Sequence, residues 1–519
     1  MYAIACVAVA LGVRARLHNL GQTPMWLDES YSRFAAEHGW WFLWHVIPRY
    51  EPHPPFYYSL LHLWQAAAGD SLLAYRLPGL LFGFATIAVT GFAARALADH
   101  VAATPPARGM MIAIALGYAA MAPMLVSMSQ QVRPYPAMIL VYAVATLALL
   151  RLADDSAARR PLSRGWIACF FVAQALMLWL HALGPLFGLA MTAALAVCVL
   201  RRGLPLADCA WLGAGQIAAG LVYLPAFAIL LVEAPTWVHS TWLVIDPHTL
   251  PDQLGSIFAA PWRPLGCFVA LAFVAGMAQF VVLKCGGRVG AALLILAGLP
   301  VLTALLLSWL VSPVFLSRTL TPGIVPFTLG IAMLGANLRL RLVGSIFVAL
   351  LFALTARYDF DENAWAPLED WYGTADWIAP KVAPGDVIWA YPNETALPLG
   401  YALGDRHHPL AIRAIPAPVP ALGSPGDHPT GTAGVVALRP AQIAALAADP
   451  ATVQPHTIWL VGLAAERFDP HDRLLGALLR DRTITQRYRA SEIRVLALTR
   501  KSTAPSAGRA APAAAAAAH

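Results

Sequence analysis

The chain has 519 residues, of which 59% are hydrophobic and only 12% are charged, and its mean hydropathy is +0.62. Soluble domains carry about a quarter charged residues, so this composition excludes a soluble globular protein. The formal net charge of +7 comes mostly from arginines in short loops between apolar runs. That placement is typical of the positive-inside rule and not of a nucleic-acid-binding surface, so no nucleic-acid partner is expected.

Apolar segments long enough to cross a bilayer recur through the first two thirds of the chain. They predict a polytopic α-helical membrane protein with about eleven transmembrane helices of about 20 residues each. The first segment is short, so either Arg14 and Arg16 snorkel to the headgroups or the segment lacks a few residues. The aromatic, proline-rich stretch 40–68 favours interfacial helices. The predicted spans lie near residues 1–17, 72–97, 109–128, 134–152, 165–182, 184–200, 208–232, 265–284, 289–311, 319–336 and 341–356.

Arginine placement predicts the orientation of these helices. With a cytoplasmic N-terminus, most loop arginines fall inside, and beyond the first outside loop only Arg133, Arg263 and Arg318 fall outside. An odd number of helices then places the polar C-terminal region outside, on the same side of the membrane as the first loop.

From about residue 357 the chain becomes polar and strand-like runs alternate with helical patterns. This alternation predicts a C-terminal extracytoplasmic α/β domain with a mainly parallel sheet. The predicted strands are 386–391, 434–438, 457–461 and 492–498, the predicted helices 365–379 and 470–480, and 416–432 is a predicted loop. We therefore divide the chain into a membrane domain (1–356, with an outer loop 18–71), an α/β domain (357–500) and a disordered Ala/Pro-rich tail (501–519).

Two adjacent carboxylates, Asp28 and Glu29, follow the first apolar segment in a loop dense with tryptophan and tyrosine. A carboxylate held partly dehydrated at the bilayer surface can take a proton from an attacking hydroxyl. We therefore expect this pair to be catalytic. The alternative is that both charges are merely solvated or cap the next helix.

A second cluster in the same loop contains Glu51 and His53 between prolines that stiffen the backbone. Their i, i+2 spacing in an extended segment puts both side chains on one side, where they could bind sugar hydroxyls or a divalent cation. A metal normally needs three or more protein groups. A loop fixed by proline around a hydrogen-bonded histidine is the alternative.

The isolated outside arginines Arg133 and Arg318 oppose the orientation bias, and guanidinium groups suit phosphate through paired hydrogen bonds. A contact with lipid headgroups would also explain them. His181 is a candidate for the same cavity. The helix interiors hold almost no acidic residues or lysines, whereas ion-coupled transporters usually need such groups at mid-membrane. The pattern favours chemistry at one membrane face on a lipid-linked substrate.

Five motifs occur in an order that resembles bacterial GT-C glycosyltransferases over about residues 1–360. The set is most similar to the dolichyl-phosphate-mannose-protein mannosyltransferase-like group (glycosyltransferase family 39 type), which is related to the lipid A aminoarabinose transferases. No single motif is specific, but the ordered set is. The motifs are Asp28-Glu29, His53-Pro54-Pro55-Phe56-Tyr57-Tyr58, Asp70 to Arg76, Gln131-Val132-Arg133-Pro134-Tyr135 and Ser317-Arg318.

The resemblance implies roles for individual residues. Asp28 would be the general base, and Glu29 would orient it or the sugar. Arg133 and Arg318, with Tyr135, would bind the donor phosphate and stabilise it as it leaves. Three further residues would lie near the donor's sugar-phosphate: Glu51, His53 and His181. Whether they also hold a divalent metal cation stays open.

The implied reaction is inverting transfer of a sugar, mannose or similar, from a polyprenyl-phosphate carrier to a protein, lipid or glycan acceptor. It would occur at the periplasmic face of the bacterial inner membrane, among membrane lipids. Two rivals stay open: a lipid flippase or exporter, which should tolerate loss of Asp28, and an O-antigen-ligase-like transferase, which uses a lipid diphosphate donor and should carry a long outer loop late in the chain.

Overall fold

The structure is a computed structural model that describes residues 2–241, 243–337, 341–361, 367–429 and 433–501. Apart from Lys501, the tail expected over 501–519 lies outside the described residues, as do the first two residues of the helix expected over 365–379.

The first part of the chain is helical throughout, and each expected apolar segment coincides with a helix or a run of helices. Short 3₁₀ helices occupy Ile47–Arg49, Ser317–Gly323 and Met333–Ala336. The α-helices are α1 (Tyr2–Leu17), α2 (Leu27–Ala36), α3 (Trp40–His45), α4 (Phe56–Ala68), α5 (Leu72–His100), α6 (Pro105–Met121), α7 (Pro123–Ser129), α8 (Tyr135–Ala157), α9 (Arg164–Leu180), α10 (Gly184–Val199), α11 (Leu206–His239), α12 (Leu250–Phe258), α13 (Arg263–Val282), α14 (Gly287–Leu310), α15 (Ile324–Ala332) and α16 (Arg341–Asp359).

Six segments within the described residues are long and apolar enough to cross a membrane, or seven if the bent pair α6–α7 forms one span. Helices α9 and α10 are apolar but shorter. The chain is therefore a multi-pass membrane protein, and the larger number of spans stays a prediction. Helix α8 lies at the centre of the bundle, where it packs against α5, α9 and α10.

Arg16 does not snorkel to the headgroups. Its side chain is buried and donates hydrogen bonds to the carbonyl oxygens of Ala119, at 3.1 Å, and of Ala120. Helix α6 ends there because Pro123 has no N–H to continue the hydrogen-bond ladder, and the chain bends by 54° into α7. The guanidinium group of Arg16 therefore donates hydrogen bonds to carbonyl oxygens at the end of α6 that have no donor within the helix.

The C-terminal part contains a five-stranded sheet of order β2-β1-β3-β5-β4. Its strands are β1 (Val387–Ala390), β2 (Ile412–Ala414), β3 (Thr457–Leu463), β4 (Arg482–Ala490) and β5 (Ile493–Arg500). Its helices are α17 (Trp371–Ile378), α18 (Ala396–Asp405), α19 (Pro440–Ala448), α20 (Pro450–Val453) and α21 (Arg473–Leu478).

The expectation of a mainly parallel sheet is wrong. Strand β1 pairs in parallel with β2 and β3, but β5 runs antiparallel to both β3 and β4. The tight turn at Ser491, whose φ is 54°, joins β4 to β5 as a hairpin, and a hairpin requires antiparallel strands. The expected strand 434–438 forms only an isolated bridge, between Ala437 and Asp427.

Both faces of the sheet are covered by helices. Ile388 and Trp459 point into the core shared with α17 and α18, whereas their neighbours Trp389 and Ile458 point into the core shared with α19 and α21. This alternation follows the two-residue period of a strand. Residues of α2 join both cores, Leu27 on one face and Tyr31 on the other, so α2 lies against the α/β domain.

Two glycine-to-alanine changes test the helix packing. A Cβ at Gly276 of α13 would collide with the carbonyl oxygen of Gly330 in α15, whereas one at Gly298 of α14 meets nothing within 4 Å. We expect Gly276→Ala to destabilise the protein by about 1–3 kcal/mol, and Gly298→Ala to leave stability unchanged or slightly raised because alanine favours a helix. Thermal unfolding in lipid nanodiscs compares the two; equal unfolding temperatures would contradict this packing.

Candidate active site

Helix α2 carries the two adjacent carboxylates in its first turn, where the helix dipole favours negative charge. Successive side chains point about 100° apart around a helix, and the two environments differ accordingly. The side chain of Asp28 is 24% exposed, whereas that of Glu29 is 1% exposed.

Glu29 is tied into the protein through both carboxylate oxygens. Its Oε2 accepts a hydrogen bond from Nη2 of Arg76 at 3.1 Å, and its Oε1 accepts one from the amide of Val132 at 2.9 Å. Through these bonds Glu29 fastens α2 to α5 and to the segment before α8. A role for Glu29 in the reaction stays a prediction.

Asp28 lies between the two isolated arginines. Its Oδ2 accepts a hydrogen bond from Nη2 of Arg318 at 2.9 Å. Its backbone carbonyl accepts one from Nη1 of Arg133 at 3.1 Å. Tyr135 lies beside both guanidinium groups: its ring centroid is 5.8 Å from Cζ of Arg133, and its hydroxyl hydrogen-bonds Arg318. The structure therefore brings together the carboxylate and the arginines that the sequence singled out separately.

The rings of His53 and His181 are in contact, with their centroids 4.0 Å apart and their planes tilted by 39°. Nδ1 of His53 accepts a hydrogen bond from the amide of Ala182 at 3.4 Å, and Nδ1 of His181 accepts one from the amide of Leu183 at 3.0 Å. Both neutral rings therefore carry their proton on Nε2. Burial, followed by the neighbouring His181 and Arg133, lowers the pKa of His53 well below its usual value.

Glu51 completes this corner of the site, with its Oε1 3.6 Å from Nε2 of His53. Burial raises the pKa of Glu51 to about 7, and the nearby Arg133 only partly offsets this shift. Across the described ranges, no three His, Cys, Asp or Glu side chains form a group that could hold a metal ion. In the Nε2–H tautomer, Nε2 of each histidine carries a proton and therefore acts as a hydrogen-bond donor and not as a metal ligand.

Several buried donors around Asp28 have no hydrogen-bond partner among the described residues. Buried polar groups are nearly always paired, so a cluster of unpaired donors requires an explanation. A bound molecule rich in oxygen atoms would satisfy them. The donors are Nε1 of Trp26, the hydroxyl of Tyr58, Nε of Arg133 and Nε2 of His181.

Three residues contact α2 from elsewhere in the chain, and the sequence assigned no role to them. Arg76 ends the motif Asp70 to Arg76, and a buried arginine in an apolar helix is a signal for a buried partner. Glu369 and Glu394 belong to the α/β domain and accept hydrogen bonds from the amide of Leu27 and the hydroxyl of Tyr31. No local pattern marks these two carboxylates.

The described structure is similar to solved membrane-protein structures. ArnT from Cupriavidus metallidurans bound to undecaprenyl phosphate matches with a TM-score of 0.54 and 15% identity, over 95% of this chain and 97% of that one. The archaeal oligosaccharyltransferase AglB from Archaeoglobus fulgidus, in complex with an inhibitory peptide and a dolichol-phosphate, has a TM-score of 0.49 and 11% identity over 95% and 74% of the two chains. The sequence matches no family model and no curated protein.

The ArnT comparison, which covers nearly all of both chains, shows the fold. The chain has the GT-C fold, a helical membrane domain followed by a smaller domain with a sheet, and the fold expected from the ordered motifs is confirmed. At 15% identity the likeness extends to the fold alone.

The two neighbouring carboxylates should respond differently to mutation. Glu29→Ala leaves the buried Arg76 guanidinium without its carboxylate, which typically costs about 3–5 kcal/mol. Asp28→Asn removes a partly exposed ion pair worth about 1 kcal/mol or less. We therefore expect thermal unfolding in nanodiscs to show a large loss of stability only for Glu29→Ala. A similar loss for both variants would contradict the distinct environments.

Proposed function

We propose that the protein is a membrane glycosyltransferase that moves a sugar from a polyprenyl-phosphate carrier to an acceptor hydroxyl. The observation that carries the proposal is the cluster of four unpaired buried donors near the Asp28–Arg318 pair, on Trp26, Tyr58, Arg133 and His181. These groups offer hydrogen to a ligand, as a phosphate and a sugar require, beside one partly exposed carboxylate that can accept a proton. The fold shared with an undecaprenyl-phosphate-bound structure is consistent with it.

The reaction is a single displacement at the anomeric carbon. Asp28 accepts the proton of the acceptor hydroxyl while the oxygen of that hydroxyl forms a bond to the anomeric carbon. The bond from the carbon to the phosphate oxygen breaks, and the polyprenyl phosphate leaves with the electron pair. Arg133 and Arg318 stabilise the negative charge that develops on the phosphate. Attack opposite the leaving group inverts the configuration of the sugar.

The Asp28–Arg318 contact suggests the order of events. Without donor, the guanidinium neutralises the carboxylate at 2.9 Å. An incoming phosphate competes for Arg318 and weakens its hold on Asp28. Donor binding therefore frees the Asp28 carboxylate to accept the proton of the acceptor hydroxyl.

The remaining groups suit the sugar. Nε2–H of His181 and the hydroxyl of Tyr58 are donors, while Glu51 offers an acceptor beside them. We propose mannose or a similar hexose as the sugar and a protein, lipid or glycan hydroxyl as the acceptor. We place the reaction at the periplasmic face of a bacterial inner membrane, because the charged first loop and the α/β domain share one side of the helical part.

The first test replaces Asp28 and Arg133 in protein purified into nanodiscs. Asp28→Asn should lower transfer of radiolabelled sugar from synthetic polyprenyl-phosphate donors by about 10²- to 10⁴-fold, the usual worth of a general base. Donor affinity should stay the same or rise, because Arg318 loses its competing carboxylate. Arg133→Ala should weaken donor binding by about 10- to 100-fold, as for loss of a charged hydrogen bond.

Arg263→Ala is the matched control for the arginine change. Arg263 is also expected outside, but it is 67% exposed and pairs with Asp252, so its loss should change neither affinity nor transfer. Full activity of Asp28→Asn would contradict the proposed base. A wild-type protein that moves labelled lipid across vesicles without transferring its sugar to any acceptor would favour the flippase instead.

Donor binding should depend on pH through Glu51. The raised pKa of about 7 keeps its carboxyl neutral below that pH and negative above it. The negative form repels the donor phosphate and competes for Arg133, so donor affinity should fall as pH rises through about 7. If the bound phosphate shifts the pKa of Glu51 by about one unit, donor affinity changes by about tenfold between the neutral and the negative form of Glu51.

The measurement is the donor Kd between pH 6 and 8.5. A sugar phosphodiester is the right ligand, because its single charge does not change in this range, whereas a phosphate monoester titrates near pH 6. Glu51→Gln should flatten the dependence. A fall in affinity that persists unchanged in Glu51→Gln would assign the titration to another group.

A further inference from the structure

The α/β domain contacts α2 along the whole length of that helix. Four of these contacts are polar, and they begin at the first residue of α2 and end just past its last. The contacts join Leu27 to Glu369, Tyr31 to Glu394, Arg33 to Asp405 and Glu37 to Tyr401.

The contact at the start of the helix replaces a missing cap. The first amides of a helix have no partner within the helix and usually bond to the side chain of the N-cap residue. Here the N-cap is Trp26, whose side chain makes no such bond. Oε2 of Glu369, 342 residues away, accepts the amide hydrogen of Leu27 at 3.0 Å and that of Trp371 Nε1 at 2.6 Å. Leu27 directly precedes Asp28.

The middle contact comes from the carboxyl end of strand β1. Glu394 is buried and its Oε2 accepts a hydrogen bond from the hydroxyl of Tyr31 at 3.3 Å. The neighbouring Asn393 is fixed by the carbonyl of Gly434 at 3.0 Å and the amide of Val436 at 3.3 Å. A tightly held turn therefore presents the carboxyl group of Glu394 to α2.

The end of α2 is held by Tyr401 of α18. Its hydroxyl donates to Oε2 of Glu37 at 2.7 Å, and its ring lies 4.2 Å from Cζ of Arg33. Glu37 and Arg33 also pair with each other at 2.8 Å. Glu29 fastens the same helix to Arg76 of the membrane domain. Helix α2 is thus held by both parts of the chain.

We propose that the α/β domain is a positioning element of the active site, in which Glu369, Glu394 and Tyr401 hold α2 so that Asp28 faces the donor phosphate. The proposal rests on the assignment of Asp28 as the base. A base displaced by about 1 Å can lose about 10²-fold in rate, and the contacts from the α/β domain add to the bonds from Arg76 and Arg133 that hold α2 to the membrane domain. The domain thereby acts on the chemical step, beyond any part in acceptor choice.

The experiment removes the cap in the full-length protein. Glu369→Ala should lower kcat for sugar transfer by about 10- to 100-fold, leave donor affinity unchanged and speed hydrogen–deuterium exchange in the peptide that contains α2. Glu369→Gln keeps an oxygen acceptor for the amide of Leu27 and should restore most of the kcat. Tyr31→Phe removes the Glu394 contact separately and should act in the same direction if Glu369→Ala fails to fold.

Asp427→Asn is the control, because this carboxylate of the α/β domain is 71% exposed and pairs only with Arg439 among the described side chains. It should change neither exchange nor kcat. Faster exchange in α2 with wild-type kcat in Glu369→Ala and Tyr31→Phe would overturn the proposal, as would unchanged exchange in both. A wild-type protein without transfer activity would instead overturn the proposed function, and the exchange result would then decide alone whether Glu369 holds α2.

Discussion

An ion pair between Asp28 and Arg318 joins two segments that are 290 residues apart in the chain, and the candidate site is arranged around it. The pair places a carboxylate and a guanidinium group, both partly exposed, at one point of the helical bundle. Arg133, fixed by the carbonyl of Asp28, adds a second positive charge beside the first.

This arrangement depends on a short helix that contacts both the bundle and the α/β domain. Glu29 is almost fully buried against Arg76. Removal of only one partner of such a pair lowers protein stability most, because the other charge is left buried and unpaired. Glu369 supplies the cap that the sequence before α2 lacks. The two adjacent carboxylates thus have different environments, because Asp28 is partly exposed and Glu29 is buried. The position of Asp28 results from long-range contacts and not from the loop itself.

The helical segments were predictable from the sequence because an apolar run and its flanking arginines lie within one short stretch of chain. The sequence also identified the side chains that meet in the site, since Arg133 and Arg318 are conspicuous as isolated outside charges and His53 lies in a rigid proline-rich loop. It did not separate Asp28 from Glu29, because this depends on how α2 is rotated against α5. It missed β4, whose residues are largely polar and exposed, and with it the antiparallel half of the sheet.

The central claim is that Asp28 acts as a base in a single displacement from a polyprenyl-phosphate sugar. The most direct measurement is the anomeric configuration of the product, determined by NMR after transfer from a synthetic undecaprenyl-phosphate sugar of defined anomer. The account predicts a product of inverted configuration, formed about 10²- to 10⁴-fold more slowly by Asp28→Asn. Retained configuration would make the carboxylate a nucleophile instead of a base, and would contradict the mechanism built on the Asp28–Arg318 pair.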